Sequence, residues 1–267
     1  MNESFDDLPP PMNDDGRPWL TRPRVKFCGM TRREDVLAAV ELGADAVGFV
    51  LWSGSPRYVT VDAARELVRA VPSGIETVAL FVDASERDVV EAADYVGVTA
   101  VQTYRGEFDS SRPRRHLRIA PVSFDKAEED VDPAETAARY PDDVLLLVDA
   151  HDPKRLGGTG EPAHWGKATT LAEMRPIILA GGLTAKNVIE AIHWVMPFGL
   201  DVSSGVESAP GIKDEGKMRE FLSTAEYAWS CLGGGLSDLD WRRRVQFRGA
   251  DVKGLRNAAG LEPKVKW

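Results

Sequence analysis

The chain has 267 residues, 43% hydrophobic and 28% charged, with a formal net charge of −9. No apolar run approaches the ~18 residues of a membrane span, and the acidic balance lacks the basic stripe of a general nucleic-acid binder. Only two cysteines, Cys28 and Cys231, lie far apart along the chain, which argues against a disulfide framework and for a reducing, cytoplasmic location.

The opening segment MNESFDDLPPPMNDDGRP has neither the basic start nor the apolar centre of a targeting peptide. Residues 1–20 carry five acids against one base, and residues 241–267 carry eight bases against two acids. Neither end shows sustained hydrophobic periodicity, so residues 1–22 and 231–267 are expected to be flexible extensions of one body at 23–230. A subunit or partner contact is the alternative for the basic end.

Inside that body one rhythm recurs: a short apolar run, a polar or glycine-rich break, then a stretch with apolar residues at helical spacing. The predicted strands are VKFC (25–28), AVGFVL (46–51), TVALFV (77–82), AVQT (100–103), LRIAPV (117–122), VLLLVD (144–149), PIILA (176–180) and FGLDVS (198–203). Runs such as VLLLV imply parallel strands buried on both faces. Helical stretches such as REDVLAAVELG, VDAARELVRAV, SERDVVEAADYVG and AKNVIEAIHWV separate them. Eight such units predict a single α/β domain, a compact (β/α)8 TIM barrel. The alternative, an open doubly wound sheet, would carry a GxGxxG turn after its first strand, and this chain has none.

A barrel of this kind builds its active site from the loops at the carboxyl ends of its strands. The first strand ends in Cys28, either an inert small hydrophobe or a reactive thiol. Two-residue alternation puts Lys26 on the same face, one layer below. Thr31 and Glu34 match a capping box, predicting a helix that begins three residues past the thiol and turns its positive end towards it. After the second strand, Arg57 is able to fork onto a carboxylate. The sixth strand ends in Asp149. Gly181 and Gly182 follow the seventh, and Ser203, Ser204 and Gly205 follow the eighth, where barrels frequently hold phosphate on backbone N–H groups. Alternation turns Asp201 inward with Ser203, towards the neighbouring first strand, and predicts an interior Lys26–Asp201 ion pair. Gly157-Gly158-Thr159-Gly160 is either a loop able to close over a ligand or an ordinary connection. The histidines, His116, His151, His164 and His193, lack metal-ligand spacing, so no metal is expected.

The pieces VKFCGMT, GADAVGFVLWSGSPRYV, VALFVD, LLLVDAHDPKRLGGTGEPAHW, ILAGGLTAKNV and DVSSGVESAPGIKD follow in that order over residues 24–222. Together they resemble the phosphoribosylanthranilate isomerase family of tryptophan biosynthesis, whose fold is a (β/α)8 barrel. The resemblance implies that Cys28 is a general base, Asp149 a general acid and Arg57 the ligand of the anthranilate carboxylate. It also places Gln102 and Asp201 among the substrate-binding residues, and Gly181, Gly182, Ser203, Ser204 and Gly205 on the phosphate.

The implied reaction is the Amadori rearrangement of N-(5-phosphoribosyl)anthranilate to 1-(2-carboxyphenylamino)-1-deoxyribulose 5-phosphate. An acid and a base suffice for it, so no cofactor is expected. The implied partner is a small phosphorylated substrate, with the chain a monomer or a homodimer. One departure stands in the fourth unit: where the family commonly reads VQLHG, this chain reads VQTYRG, with Tyr104 in the place of histidine. The alternatives are a related phosphosugar isomerase of the histidine pathway or of dual specificity, which would carry aspartate in place of Cys28, and a non-catalytic barrel that binds a phosphorylated ligand.

Overall fold

The structure, a computed structural model, describes residues 24–105, 116–123, 132–141, 143–149 and 165–232. The predicted extension 1–22, residues 233–267 of the predicted extension 231–267, the glycine-rich stretch 157–160, His151 and His164 lie outside the described residues, whereas Cys231 and Leu232 end the last described helix and are not part of a flexible extension. In chain order the elements are β1 (Arg24–Phe27), α1 (Arg33–Glu41), β2 (Ala46–Val50), α2 (Val61–Val68), β3 (Glu76–Val82), α3 (Glu86–Val96), β4 (Ala100–Tyr104) and β5 (Leu117–Ser123). They continue as α4 (Pro133–Arg139), β6 (Val144–Asp149), α5 (Trp165–Met174), β7 (Ile177–Ala180), α6 (Val188–Val195) and β8 (Gly199–Val202). A 3-10 turn (Ser204–Val206), the short strands β9 (Glu207–Ala209) and β10 (Ile212–Lys213), and α7 (Glu215–Cys231) complete the elements of the described residues. The connection that would carry the helix between β4 and β5 lies outside the described residues.

The strands β1 to β8 hydrogen-bond in sequence order and close on themselves, every pair parallel, as a (β/α)8 TIM barrel. Closure is made by β1 and β8, which pair Lys26 with Asp201 and Phe27 with Val202. β9 and β10 form a small antiparallel hairpin outside the ring.

Strand alternation divides the core in two. Val144, Leu146 and Val148 of β6 belong to the large cluster between the ring and its helices, whereas Leu145 and Leu147 pack inside the ring with Val78, Ala100, Ile119 and Ile178. Along β1, Val25 and Phe27 likewise face the helices. The same parity turns Lys26, Cys28, Gln102, Tyr104, Asp149 and Asp201 inward. Phe27 meets Phe221 of α7 edge to face, with ring centroids 6.5 Å apart, so the last helix seals the outside of the first strand.

Local signals set the helix ends. Thr60, Ser85, Asp132 and Asp214 each accept a backbone N–H of the first turn of α2, α3, α4 and α7. Gly97 ends α3 in the left-handed conformation, with φ 82°. The capping box expected at Thr31 and Glu34 does not form. α1 begins at Arg33, its N-cap Arg32 makes no side-chain cap bond, and the Thr31 hydroxyl donates instead to the Gly211 carbonyl at 2.5 Å. A partner 180 residues away outcompetes the local one, and the helix starts two residues later than the motif predicts. Among the described residues no helix is long and apolar enough to cross a membrane.

Candidate active site

At the carboxyl ends of the strands lies an open cavity of about 490 Å³. All ten residues singled out from the sequence line it: Cys28, Arg57, Gln102, Asp149, Gly181, Gly182, Asp201, Ser203, Ser204 and Gly205. Trp52, Tyr104 and Arg105 join them. The ring order brings in β1 and β6 from opposite sides of β7 and β8, so the thiol and the Asp149 carboxyl address the same space from different walls.

Cys28 sits one residue beyond β1, yet its N–H still bonds the Val202 carbonyl at 2.9 Å, so the backbone below the sulfur is fixed to β8. Directly beneath, Lys26 is 3% exposed and its Nζ donates to Asp201 Oδ1 and to Gln102 Oε1, both at 3.0 Å. The interior ion pair expected from strand alternation is present. Burial alone would lower the lysine's pKa, but Asp201 and then Cys28 more than offset it and hold the ammonium above its ordinary value. Burial pushes the Cys28 thiol up, and the facing Lys26 draws it back only in part. A thiol in this setting is mostly protonated at neutral pH and is a strong base once ionised.

A second cation lies on the other side. Lys213 of β10 is fully buried, and its Nζ donates to the Cys28 carbonyl at 2.6 Å, the Ser203 carbonyl at 3.2 Å and Glu207 Oε1 at 2.8 Å. Burial lowers its pKa, with Glu207 opposing the shift. Glu207 also receives both Nε and Nη2 of Arg57 at 2.7 Å, a two-pronged bond. Burial would raise this carboxyl, yet the bonds from Arg57 and Lys213 prevail and hold it below the usual range. The guanidinium is thus oriented by a protein carboxylate, with its Nη1 edge left over.

The loops after β7 and β8 touch through their backbones. A Cβ on Gly205 would stand 1.9 Å from the Leu183 carbonyl oxygen, so only glycine lets these two turns meet. Gly181 and Gly182 hold φ of 93° and 63°, the left-handed region that glycine enters freely. The Ser203 hydroxyl donates to the Cys28 carbonyl at 3.0 Å and ties the last loop to the first.

Glu207 and Lys213 were not singled out from the sequence. Their signal is faint: an acid and a base six residues apart in a glycine- and proline-punctuated hairpin, with partners more than 140 residues distant. The two described histidines serve elsewhere. His116 contacts Asp94 at 2.9 Å, and His193 is buried on α6. Among the described residues no three His, Cys, Asp or Glu side chains converge as a metal site would need.

Residues 25–224 match the family model described as N-(5'phosphoribosyl)anthranilate (PRA) isomerase. The N-(5'-phosphoribosyl)anthranilate isomerase of Geotalea uraniireducens is 44% identical over 210 residues, covering 76% of this chain and 98% of the relative. Among solved structures, the phosphoribosyl anthranilate isomerase of Thermotoga maritima is similar at 34% identity with a TM-score of 0.65, covering 76% of this chain and 98% of that one. A phosphoribosyl anthranilate isomerase in complex with reduced 1-(o-carboxyphenylamino)-1-deoxyribulose 5-phosphate is similar at 32% identity and a TM-score of 0.64, with the same coverage.

Proposed function

Because the chain belongs to the N-(5'-phosphoribosyl)anthranilate isomerase family of tryptophan biosynthesis, we propose that Cys28 and Asp149 divide the acid–base work of its isomerase reaction. The single observation that carries this reading is their arrangement. A thiol and a carboxyl end two separated strands over one cavity, with glycine-rich turns after β7 and β8 alongside.

The substrate's phosphate lies against the turns Gly181-Gly182 and Ser203-Ser204-Gly205, where backbone N–H groups serve as donors. Its anthranilate carboxylate takes the free edge of Arg57. That orientation sets the ribose between the two walls. Asp149, as the acid, gives a proton to the ring oxygen while the C1–O bond breaks, and the anthranilate nitrogen becomes a Schiff-base cation. Cys28, as thiolate, then removes the proton from C2, and the electron pair moves into an enolamine that relaxes to the amino-ketone. Lys26 and Lys213 supply positive charge beside the sulfur and favour the form that accepts the proton. Burial keeps the thiol basic enough to take a carbon-bound proton.

Two unbridged cysteines, one of them exposed, support action in a reducing, cytoplasmic setting. The test is a fluorescence assay in which purified protein meets freshly generated phosphoribosylanthranilate. Loss of the anthranilate adduct's signal with first-order dependence on enzyme is expected. Protein that binds a phosphorylated ligand with no turnover would overturn the reading in favour of a non-catalytic barrel.

A further inference from the structure

The floor of the cavity carries a hydrogen-bond chain whose direction is forced by chemistry. It starts at Asp201, an acceptor, and passes to Lys26, whose ammonium has donors only. Lys26 Nζ stands 3.0 Å from the Gln102 side-chain amide. The amide atom facing an ammonium must be its oxygen, which settles the orientation of a group that otherwise flips freely. The amide NH2 then points the opposite way, and Nε2 donates to the Tyr104 hydroxyl oxygen at 3.3 Å. With Gln102 only 1% exposed, nothing from solvent competes for that arrangement.

The consequence falls on the phenol. Its oxygen is already accepting from below, so its own proton must leave in another direction, upward into the cavity. Tyr104 is the last inward residue of β4. The next residue, Arg105, turns left-handed at φ 54°, and the Tyr104 carbonyl is fixed by the Asp83 N–H at 3.1 Å. Burial, and then the nearby carboxyls of Asp201 and Asp149 and the thiol of Cys28, push the phenol's pKa up, so it stays a neutral donor.

We propose that Tyr104 is a substrate-contacting residue whose O–H, aimed by the Asp201–Lys26–Gln102 chain, donates a hydrogen bond to the sugar of the bound substrate between Cys28 and Asp149. This rests on the isomerase reading of the site above. It also gives the departure from the family's usual histidine a chemical meaning. Phenol remains a donor throughout the neutral range, where imidazole would change its charge. Gln102 acts through Tyr104 and is a positioning residue. A carboxylate at 102 would accept from both neighbours and turn the phenol's proton back towards the floor.

The experiment compares Tyr104→Phe, Gln102→Glu and the double variant, reading kcat and KM for phosphoribosylanthranilate, affinity for reduced 1-(o-carboxyphenylamino)-1-deoxyribulose 5-phosphate, and thermal midpoint. Tyr104→Phe is expected to weaken analogue binding by about 2- to 12-fold, the range for one neutral hydrogen bond, and to lower the midpoint modestly, because the buried Gln102 Nε2 loses its acceptor. The double variant is expected to bind no worse than the weaker single variant, because both changes remove one contact. Tyr104→His is expected to add a limb to the pH profile near the imidazole range, absent from the parent. Tyr104→Phe with parental affinity and rate, or additive penalties in the double variant, would overturn the proposal while leaving the isomerase reading intact. Parent protein inert towards phosphoribosylanthranilate would remove both.

Discussion

Gly48, in the middle of β2, is where packing and chemistry meet most tightly. A Cβ there would lie 3.0 Å from Cys28 Sγ, 3.1 Å from Lys26 Cε and 3.2 Å from Lys26 Nζ. Comfortable contacts of this kind begin at about 3.5 Å. In Gly48→Ala the sulfur and the ammonium must therefore retreat by roughly half an ångström, while the backbone is held by Gly29 and Met30, whose N–H groups both bond the Gly48 carbonyl at 2.9 Å. A misplacement of about 1 Å costs ~10²-fold in rate, so half that distance is expected to lower kcat about tenfold. Overpacking costs about 1–3 kcal/mol, against which removing a strand glycine returns roughly 0.5–1 kcal/mol; a net loss of about 1–2 kcal/mol follows. Steady-state kinetics and urea unfolding read the two effects. Gly166→Ala is the control, since nothing lies within 4 Å of its added methyl, and it should leave kcat unchanged. A Gly48→Ala protein with parental kcat and stability would refute the claim that this glycine makes room for the thiol and its lysine.

Cys28→Ala and Asp149→Asn are each expected to lower kcat by roughly 10²- to 10⁴-fold with folding intact by circular dichroism; near-parental rates in either variant would require another acid or base. Glu207→Gln should raise KM several-fold by freeing Arg57 and cost about 1–3 kcal/mol on denaturant unfolding. Because Glu207 is held below the usual carboxylate range, its stabilising contribution is complete above that range and disappears as pH falls through its folded value. The stability gap between parent and Glu207→Gln should therefore close in acid, and a gap independent of pH would contradict the assignment. On the alkaline side, burial raises the Cys28 thiol, so the rate of its alkylation by iodoacetamide in a Cys231→Ala protein, which reports thiolate alone, should still be climbing as pH passes the ordinary thiol range. An alkylation rate already flat from pH 7 upward would contradict the raised thiol.

The fold was legible because strand parity and strand burial are local properties. β6 reads VLLLVD with no interruption, and its alternation alone assigns Leu145 and Leu147 to the interior and puts Asp149 above them. The same parity anticipated the Lys26–Asp201 pair once closure of the ring was assumed. Distant side chains were not legible. Thr31 fits a capping box by spacing, but its hydroxyl is taken by Gly211 of a turn near the other end of the chain. Arg57 was expected to present its fork to a ligand, whereas Glu207 occupies two of its nitrogens. The tight fit around Gly48 likewise depends on two side chains of the neighbouring strand. Each of these is a contact between different elements of the chain, for which periodicity within one element carries no signal.

The seam between β1 and β8 joins the first described strand of the chain to the last strand of the ring, with Lys26 and Asp201 separated by 175 residues and the Lys213 contact to Cys28 by 185. Loop closure over such separations is slow relative to local pairing. During synthesis the thiol has Lys26 beside it in sequence but must wait for Lys213, its second supporting cation, until the β9–β10 hairpin has left the ribosome. Partial chains that end before this hairpin are consequently expected to be chemically silent, with competence gained only when the two ends of the barrel meet.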